Sequence, residues 1–535
     1  MHEKRKLKLK KFYFHPITMF LVATIFIVLI TPILSKLQLQ ATYNVIDTAT
    51  NELEPKLVIV ENLLTYEGIK NLVANSTKNF VAFSPLSMLL ISLIGISIAE
   101  ATGFIDTLAK RKIKKIPKAR LTFLILFIAT ISSLINDVGY AILIPLAAII
   151  YEINGRNPLL GIITAFCGVA FSSAISIFVG WTEVQLIPYT TSAAYLIDTN
   201  SHISLTSNLI FIIISSIIIP LVGTAVIEKI IAPKLGKYHF HDRSTGKTLQ
   251  TSELLLSDIE AAEENRITKE KNELRGLKYA RVTGIVLLIL FAYMLIPNLP
   301  GSGLLLDMDE KLYVNQLFGN NSYFHLAFTF LTALFFIIIG LAYGIGAKSL
   351  KNDRDIIEKT TFRFKNIGSI IVLIFVFSQF IAVWKSSNLD VIITSLLATL
   401  LSYLSFTSIP LILITILFIG IAGIFCTSIG TKWKIFAPVV VPLFMQSNIS
   451  PQFAQLVMRV SDSITKGITP FLSFFVIYVG YLNLVNQNKQ KSITINNSIR
   501  LVMPYFVFIG LAWIILLIIF YLVGIPIGPG VKPTI

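Results

Sequence analysis

The chain has 535 residues, of which 54% are hydrophobic and only 14% charged, whereas soluble domains carry about a quarter charged residues; a soluble globule is excluded. Its net charge of +16 would suggest nucleic acid in a soluble protein, but the Lys and Arg residues cluster in short polar segments between apolar blocks, where they orient a membrane protein, so nucleic acid is not expected as a partner. The two cysteines, Cys167 and Cys426, both lie in apolar stretches and imply neither a disulfide framework nor a metal site.

The basic run 1–11 is followed by an apolar stretch, 14–34, that is too long for the core of a secretory signal, so an uncleaved first helix is expected. Further crossings are predicted at about 81–102, 203–226, 280–297, 323–346, 366–386 and 500–524, each long enough to span a bilayer core of ~30 Å. Lys and Arg are dense in the N-terminus, 110–120, 229–281 and 348–365, and sparse in 36–79, read as a loop, and in 299–322. The first group is therefore expected on the cytoplasmic side, with the N-terminus, and the second outside. Segment 237–279 reads as a cytoplasmic polar linker with an amphipathic helix over 252–275, joining halves 1–236 and 280–535.

Two apolar runs are interrupted. In 121–152 the break is Asn136-Asp137-Val138-Gly139, and in 411–446 it is Thr427 to Trp433. Polar breaks at membrane depth are tolerated only against protein or a wet cavity, so both runs are predicted to be re-entrant hairpins. Each precedes an interrupted helix, at about 159–197 and 452–485. Pro145 and Pro158 are spaced as Pro438 and Pro451 are, Tyr140 then falls opposite Trp433, and a run of small hydroxyl residues follows each second proline. The expectation is an all-α polytopic membrane protein of about nine transmembrane helices plus two re-entrant hairpins, arranged as an inverted repeat. Such paired interruptions mark the binding site of a secondary transporter.

Ionisable residues at depth usually face a cavity or a partner; here these are Asp137, Glu183, Lys432, Arg459, Asp462 and Lys466. Arg459 and Asp462 share a helical face and are expected to pair. An Arg holding a substrate carboxylate, with Asp462 bracing its fork, competes with an ion pair that only fixes packing. Glu183 is a candidate for binding and releasing a coupling proton, or else a satisfied carboxylate at the helix break. Trp433 could stack on a planar substrate or anchor at an interface. Hydroxyls of Ser176, Ser463 and Thr465 could coordinate Na+ at the hairpin tips or serve helix packing. No hydrolase, zinc-protease, nucleotide-binding or dinucleotide motif stands in a credible context, so an enzyme is not expected, no cofactor is implied, and transport would use a proton or Na+ gradient.

The stretches Phe83-Ser84-Pro85-Leu86, Asn136 to Tyr140, Gly155 to Leu159, Val222-Gly223-Thr224 with Glu228-Lys229, and above all Lys432-Trp433, Ala437-Pro438, Ser450-Pro451, Arg459, Asp462 to Thr465 and Thr469-Pro470 resemble the p-aminobenzoyl-glutamate transporter (AbgT) family. The resemblance covers nearly the whole chain. It implies a homodimer in the cytoplasmic (inner) membrane, nine transmembrane helices and two hairpins per protomer, and transport of p-aminobenzoyl-glutamate or efflux of sulfonamide antimetabolites. The family's transport residues carry over to Trp433, Pro451, Arg459 and Asp462. Its Asp falls at Glu183, an Asn at Ser176 and a Ser at Gly430, departures that bear on substrate and coupling ion. A small organic anion is thus the expected partner, with Asn136 and Asp137 beside it, its dianionic tail at Arg459 and its ring at Trp433. Another carboxylate or a small peptide on the same fold is the alternative, and a passive channel a weaker one.

Overall fold

The computed structural model describes residues 14–46, 52–135, 137–173, 175, 177–236, 238, 256–350, 352–364, 367–488 and 491–535. Its first half runs through α1 (Pro16–Lys36), a two-stranded antiparallel hairpin of β1 (Gln40–Ile46) and β2 (Leu53–Ile59), α2 (Tyr66–Val81), α3 (Ser84–Ala101), α4 (Phe104–Arg111), α5 (Lys118–Ser132), α6 (Val138–Ile153), α7 (Pro158–Ala170), α8 (Trp181–Tyr195), α9 (Leu209–Val226) and α10 (Ala232–Leu235). The second half follows with α11 (Leu256–Met294), α12 (Tyr313–Phe318), α13 (Tyr323–Gly346), α14 (Asp353–Phe364), α15 (Gly368–Ser386), α16 (Leu389–Ser402), α17 (Ser408–Phe425), α18 (Ile429–Gln446), α19 (Pro451–Lys466), α20 (Phe475–Val485) and α21 (Ile495–Val523).

Among the described residues, nine helical stretches are long and apolar enough to cross a membrane. Seven overlap the predicted crossings; the other two, Lys118–Ile135 and Ser408–Phe425, are the leading arms of the two interrupted runs. Their outer faces are apolar and solvent-facing: Phe26 is 62% exposed on α1, Ile289 64% on α11 and Leu326 66% on α13. Faces of that kind are stable against lipid, where an unsatisfied backbone would not be. α1 starts at Pro16, whose missing N–H costs nothing at a first turn, with the His15 ring accepting from the Ile17 amide.

Two expectations change. The stretch 36–79, read as a plain loop, holds the β-hairpin and α2, which leads almost directly into α3. The boundary expected at 279/280 falls inside the 39-residue α11, so the linker's helix and the next crossing are one continuous rod. α16, outside every predicted crossing, packs on α17 and α18.

The matching prolines occupy matching places. Pro145 and Pro438 lie inside α6 and α18, while Pro158 and Pro451 each begin the following helix. The interval is constant: 438 minus 145, 446 minus 153 (the ends of α18 and α6) and 425 minus 132 (the ends of α17 and α5) all give 293. Contacts cross over in the same sense, with α18 against α8 and α6 against α20.

α3, α13 and α11 form a seam of small residues. A Cβ on Gly95 would lie 2.7 Å from the Ala333 carbonyl oxygen, one on Gly340 2.9 Å from Ala99 Cα, and one on Gly346 2.9 Å from Gly276 Cα. Backbones meet here, so no side chain can move aside. Gly340→Val should therefore force α3 and α13 apart and cost about 1–3 kcal/mol. The expected readout is a lowered Tm of the detergent-purified protein; an unchanged Tm would show that the seam opens freely.

Candidate functional site

α19 is the anomaly of the fold. It is polar, yet every residue from Pro451 to Thr465 is buried. Pro451 opens it as an N1 proline, and Ser450 caps it, its Oγ accepting from the Phe453 amide at 3.3 Å and donating to the Lys532 carbonyl at 2.8 Å. A 3.6-residue repeat places Arg459, Asp462 and Lys466 along one side, and each meets a partner from a different element.

Arg459 Nη1 donates to Glu183 Oε1, and the other carboxylate oxygen of Glu183 accepts from the Gly180 amide at 2.8 Å. Glu183 thus caps the start of α8, where the helix dipole also favours an anion. Asp462 Oδ1 accepts from the ammonium of Lys432 in the first turn of α18, while Asp462 Oδ2 is buried without a hydrogen bond. Lys466 Nζ donates to Asp137 Oδ1 at 3.3 Å, at the N-terminal residue of α6. The expected Arg459–Asp462 pair is not formed. Arg459 reaches across to α8 because Glu183 is already aimed there by its cap, which leaves Asp462 to Lys432.

The neighbouring elements make room for these charges and satisfy the chain breaks. On α17 a Cβ at Gly423 would lie 2.6 Å from Thr465 Oγ1 and 3.4 Å from Lys432 Nζ, so only glycine admits both groups. The α17 C-terminal carbonyl of Phe425 accepts from Trp384 Nε1 at 3.0 Å, and the carbonyl of Phe171, where α7 ends, accepts from Trp513 Nε1 at 3.1 Å. Helix ends left inside protein are thereby satisfied.

A cavity of about 380 Å³ adjoins the row of pairs, a volume within the usual range for a small-molecule site. All the breaks contribute to it: Asp137 before α6, Trp181 at the start of α8, Thr427, Ser428 and Ile429 between α17 and α18, and Lys466 with Phe471 to Phe474 after α19. Phe83, Trp384 and Phe425 add aromatic wall, and Lys385 and Asp390 add charge. A hollow of about 20 Å³, lined by Asp137, Trp181, Ile429 and Lys466 as well, continues from it to Asp462.

The predicted residues divide accordingly. Asp137 lines the cavity, and Asp462, Glu183 and Arg459 stand in the row behind it. Trp433 lies wholly buried between α18 and α8, its Nε1 donating to Thr190 Oγ1 at 2.8 Å, so it presents no face to a ligand in this conformation. Ser463 Oγ is 3.3 Å from Ser173 Oγ, and Thr465 Oγ1 donates to the Ser461 carbonyl at 3.3 Å, an ordinary helix back-bond. Asn136 and Ser176 lie outside the described residues. Sequence reading missed Trp181 and Trp384 as cavity walls and Lys432 as the partner of Asp462. The i, i+3, i+7 spacing of Arg459, Asp462 and Lys466 carried the signal for a continuous charged face.

The family model described as "AbgT putative transporter family" matches residues 10–535, and the chain belongs to that family. The p-aminobenzoyl-glutamate transport protein of Escherichia coli (strain K12) is 28% identical over 521 residues, covering 97% of this chain and 94% of that protein. Among solved structures, the Alcanivorax borkumensis YdaH transporter is 26% identical, with 96% of this chain and 100% of that chain covered and a TM-score of 0.46. Neisseria gonorrhoeae MtrF, described as illuminating a class of antimetabolite efflux pumps, is 28% identical, with 97% and 98% covered and a TM-score of 0.48.

Removing one partner of a buried pair strands the other charge, which costs about 3–5 kcal/mol. Arg459→Met should therefore lower the Tm sharply, while Arg459→Met/Glu183→Gln, which keeps an acceptor for the Gly180 amide, should recover most of the loss. Additive losses in this double-mutant cycle would show that the pair is not coupled.

Proposed function

We propose that this chain is a secondary active transporter of a small aromatic amide carboxylate of the p-aminobenzoyl-glutamate class, acting across the cytoplasmic membrane and driven by a proton or Na+ gradient. The observation that carries the reading is the row of three ion pairs on α19, formed by residues next to the chain breaks and adjoining a cavity with aromatic walls. The relative in Escherichia coli, aligned over nearly its whole length, bears the name of that cargo. The constant offset between the two sets of elements supports an inverted repeat with two re-entrant hairpins, α5–α6 and α17–α18, whose tips meet α19. The basic N-terminal run supports a cytoplasmic N-terminus, and the family resemblance supports a homodimer.

The chemistry follows from what Arg459 and Glu183 require. A guanidinium stays charged at any physiological pH, so Arg459 must always have an anionic partner. In this conformation that partner is Glu183. A proton on Glu183 would release Arg459 to a cargo carboxylate, and loss of that proton would reclaim it. Cargo and the ionised Glu183 would then compete for one guanidinium, so proton binding at Glu183 and cargo binding at Arg459 favour each other, which couples the two. Na+ would act in the same place by neutralising Glu183.

Reconstituted protein should accumulate labelled p-aminobenzoyl-glutamate in liposomes under an imposed proton or Na+ gradient. Glu183→Gln should keep exchange of labelled for unlabelled cargo and lose gradient-driven accumulation, and Arg459→Ala should lose both. If the unmutated protein moves no cargo under either gradient while a control transporter works in the same lipid, the cargo assignment is wrong. If Glu183→Gln still accumulates cargo, Glu183 is not the coupling group.

A further inference from the structure

The three cations of the α19 row are not equally reachable. Lys432 is 0% exposed and Arg459 1%, and neither lines the cavity. Freeing either would strand Asp462 or Glu183 inside protein, a step that costs several kcal/mol. Lys466 differs on each count. Its side chain is 14% exposed and that of its partner Asp137 is 24% exposed. Both line the main cavity and the hollow behind it. Their contact is long, at 3.3 Å, and Asp137, once released, would be left facing the cavity and its water. The exchange of partners is therefore cheapest here. An ammonium also has three donors, so it can accept an incoming oxygen before it lets the first one go. Lys385, the other cation on the cavity wall, is exposed at the C-terminal end of α15, away from the row.

We propose that Lys466 is the anchor that receives a cargo carboxylate in this conformation, in competition with Asp137 at the tip of the first hairpin. This rests on the reading of the chain as a carrier of aromatic amide carboxylates, and adds the group that selects for the carboxylate. Cargo docked at Lys466 lies beside Trp181, which lines both spaces, and one step short of Asp462 and the deeper pairs. Binding also loosens the tie between the α6 start and α19, so recognition and release of the first hairpin tip are one event.

The test is binding to purified, lipid-embedded protein, comparing p-aminobenzoyl-glutamate with its neutral diamide. Unmutated protein should prefer the acid. Lys466→Met should lose that preference by about tenfold or more, the scale of one charge-assisted hydrogen bond, with diamide affinity unchanged. A general structural defect would weaken both ligands alike. Lys466→Arg should restore most of the preference, and Asp137→Asn should tighten acid binding several-fold by removing the competitor. If Lys466→Met cannot be purified, Lys466→Met/Asp137→Asn removes both charges together and should lose the preference as well. Retention of the acid preference in either Lys466 variant overturns the assignment while leaving the cargo reading intact. If the unmutated protein binds neither ligand, the cargo reading falls and the anchor falls with it.

Discussion

Every charge on α19 has to be neutralised inside the protein, and much of the architecture answers to that requirement. A buried ion is several kcal/mol less stable than a hydrated one unless it is paired and hydrogen-bonded. α19 carries two, Arg459 and Asp462, and a third charge, Lys466, at the cavity wall, and their partners Glu183, Lys432 and Asp137 come from α8, α18 and the residue before α6. All three partners sit at or within the first turn of a helix that follows an interruption. The interruptions are thus the points where the chain brings a charge to α19. Two of the pairs join residues of the first half to residues of the second, so the charges also hold the halves together.

Away from the row, the same chemistry is used to fix rather than to switch. Arg156 donates to both oxygens of Glu228 at 2.7 and 2.9 Å and to Thr122 Oγ1 at 3.0 Å, and its guanidinium lies 4.4 Å from the centre of the Tyr151 ring. This stacked arrangement, with Nη2 shared between the two Glu228 oxygens and Nη1 on Thr122, binds α5, the α7 approach and the π-helical turn at Glu228 into one block. An incoming anion would have to displace a two-pronged pair there, whereas Lys466 has a single long contact. Arg156 at the start of α7 is thus held by several short bonds, and Asp137 before α6 by one longer one.

The apolar helices were legible because length and hydropathy alone decide them, and the interrupted runs because a polar break at depth needs a reason. The tertiary pairing was not. Arg459 and Asp462 share a helical face, and spacing alone predicts that they meet. Which acid Arg459 takes depends on Glu183 being aimed by its bond to the Gly180 amide, a constraint that only the folded start of α8 supplies. Trp433 looked like a ligand platform because it follows a polar break. It lies instead one turn into α18, where Thr190 satisfies its N–H and the packing of α8 encloses it. The β-hairpin at 40–59 and α2 escaped because a polar, mixed-charge stretch between two apolar runs carries no period strong enough to separate structure from loop.

The two halves match in the placement of their helices but not in their charge. Tyr140, at the start of α6, stacks on Phe474 at 5.2 Å beside α20, while Trp433, at the start of α18, bonds to Thr190 of α8. The start of α6 thus leans on the start of α20, and the start of α18 on α8, a reciprocal pair of contacts between the halves. Yet all three cations of the row, Lys432, Arg459 and Lys466, belong to the second half, and the first half contributes only acids, Asp137 and Glu183. A symmetric distribution would have paired each half with itself and left no net demand for an anion between them. The observed one leaves Lys432 with Asp462 of its own half, while Arg459 and Lys466 take their counter-charges from the first. A movement that parted the halves would take the acids from Arg459 and Lys466 but not from Lys432, and would cost several kcal/mol unless other anions replaced them.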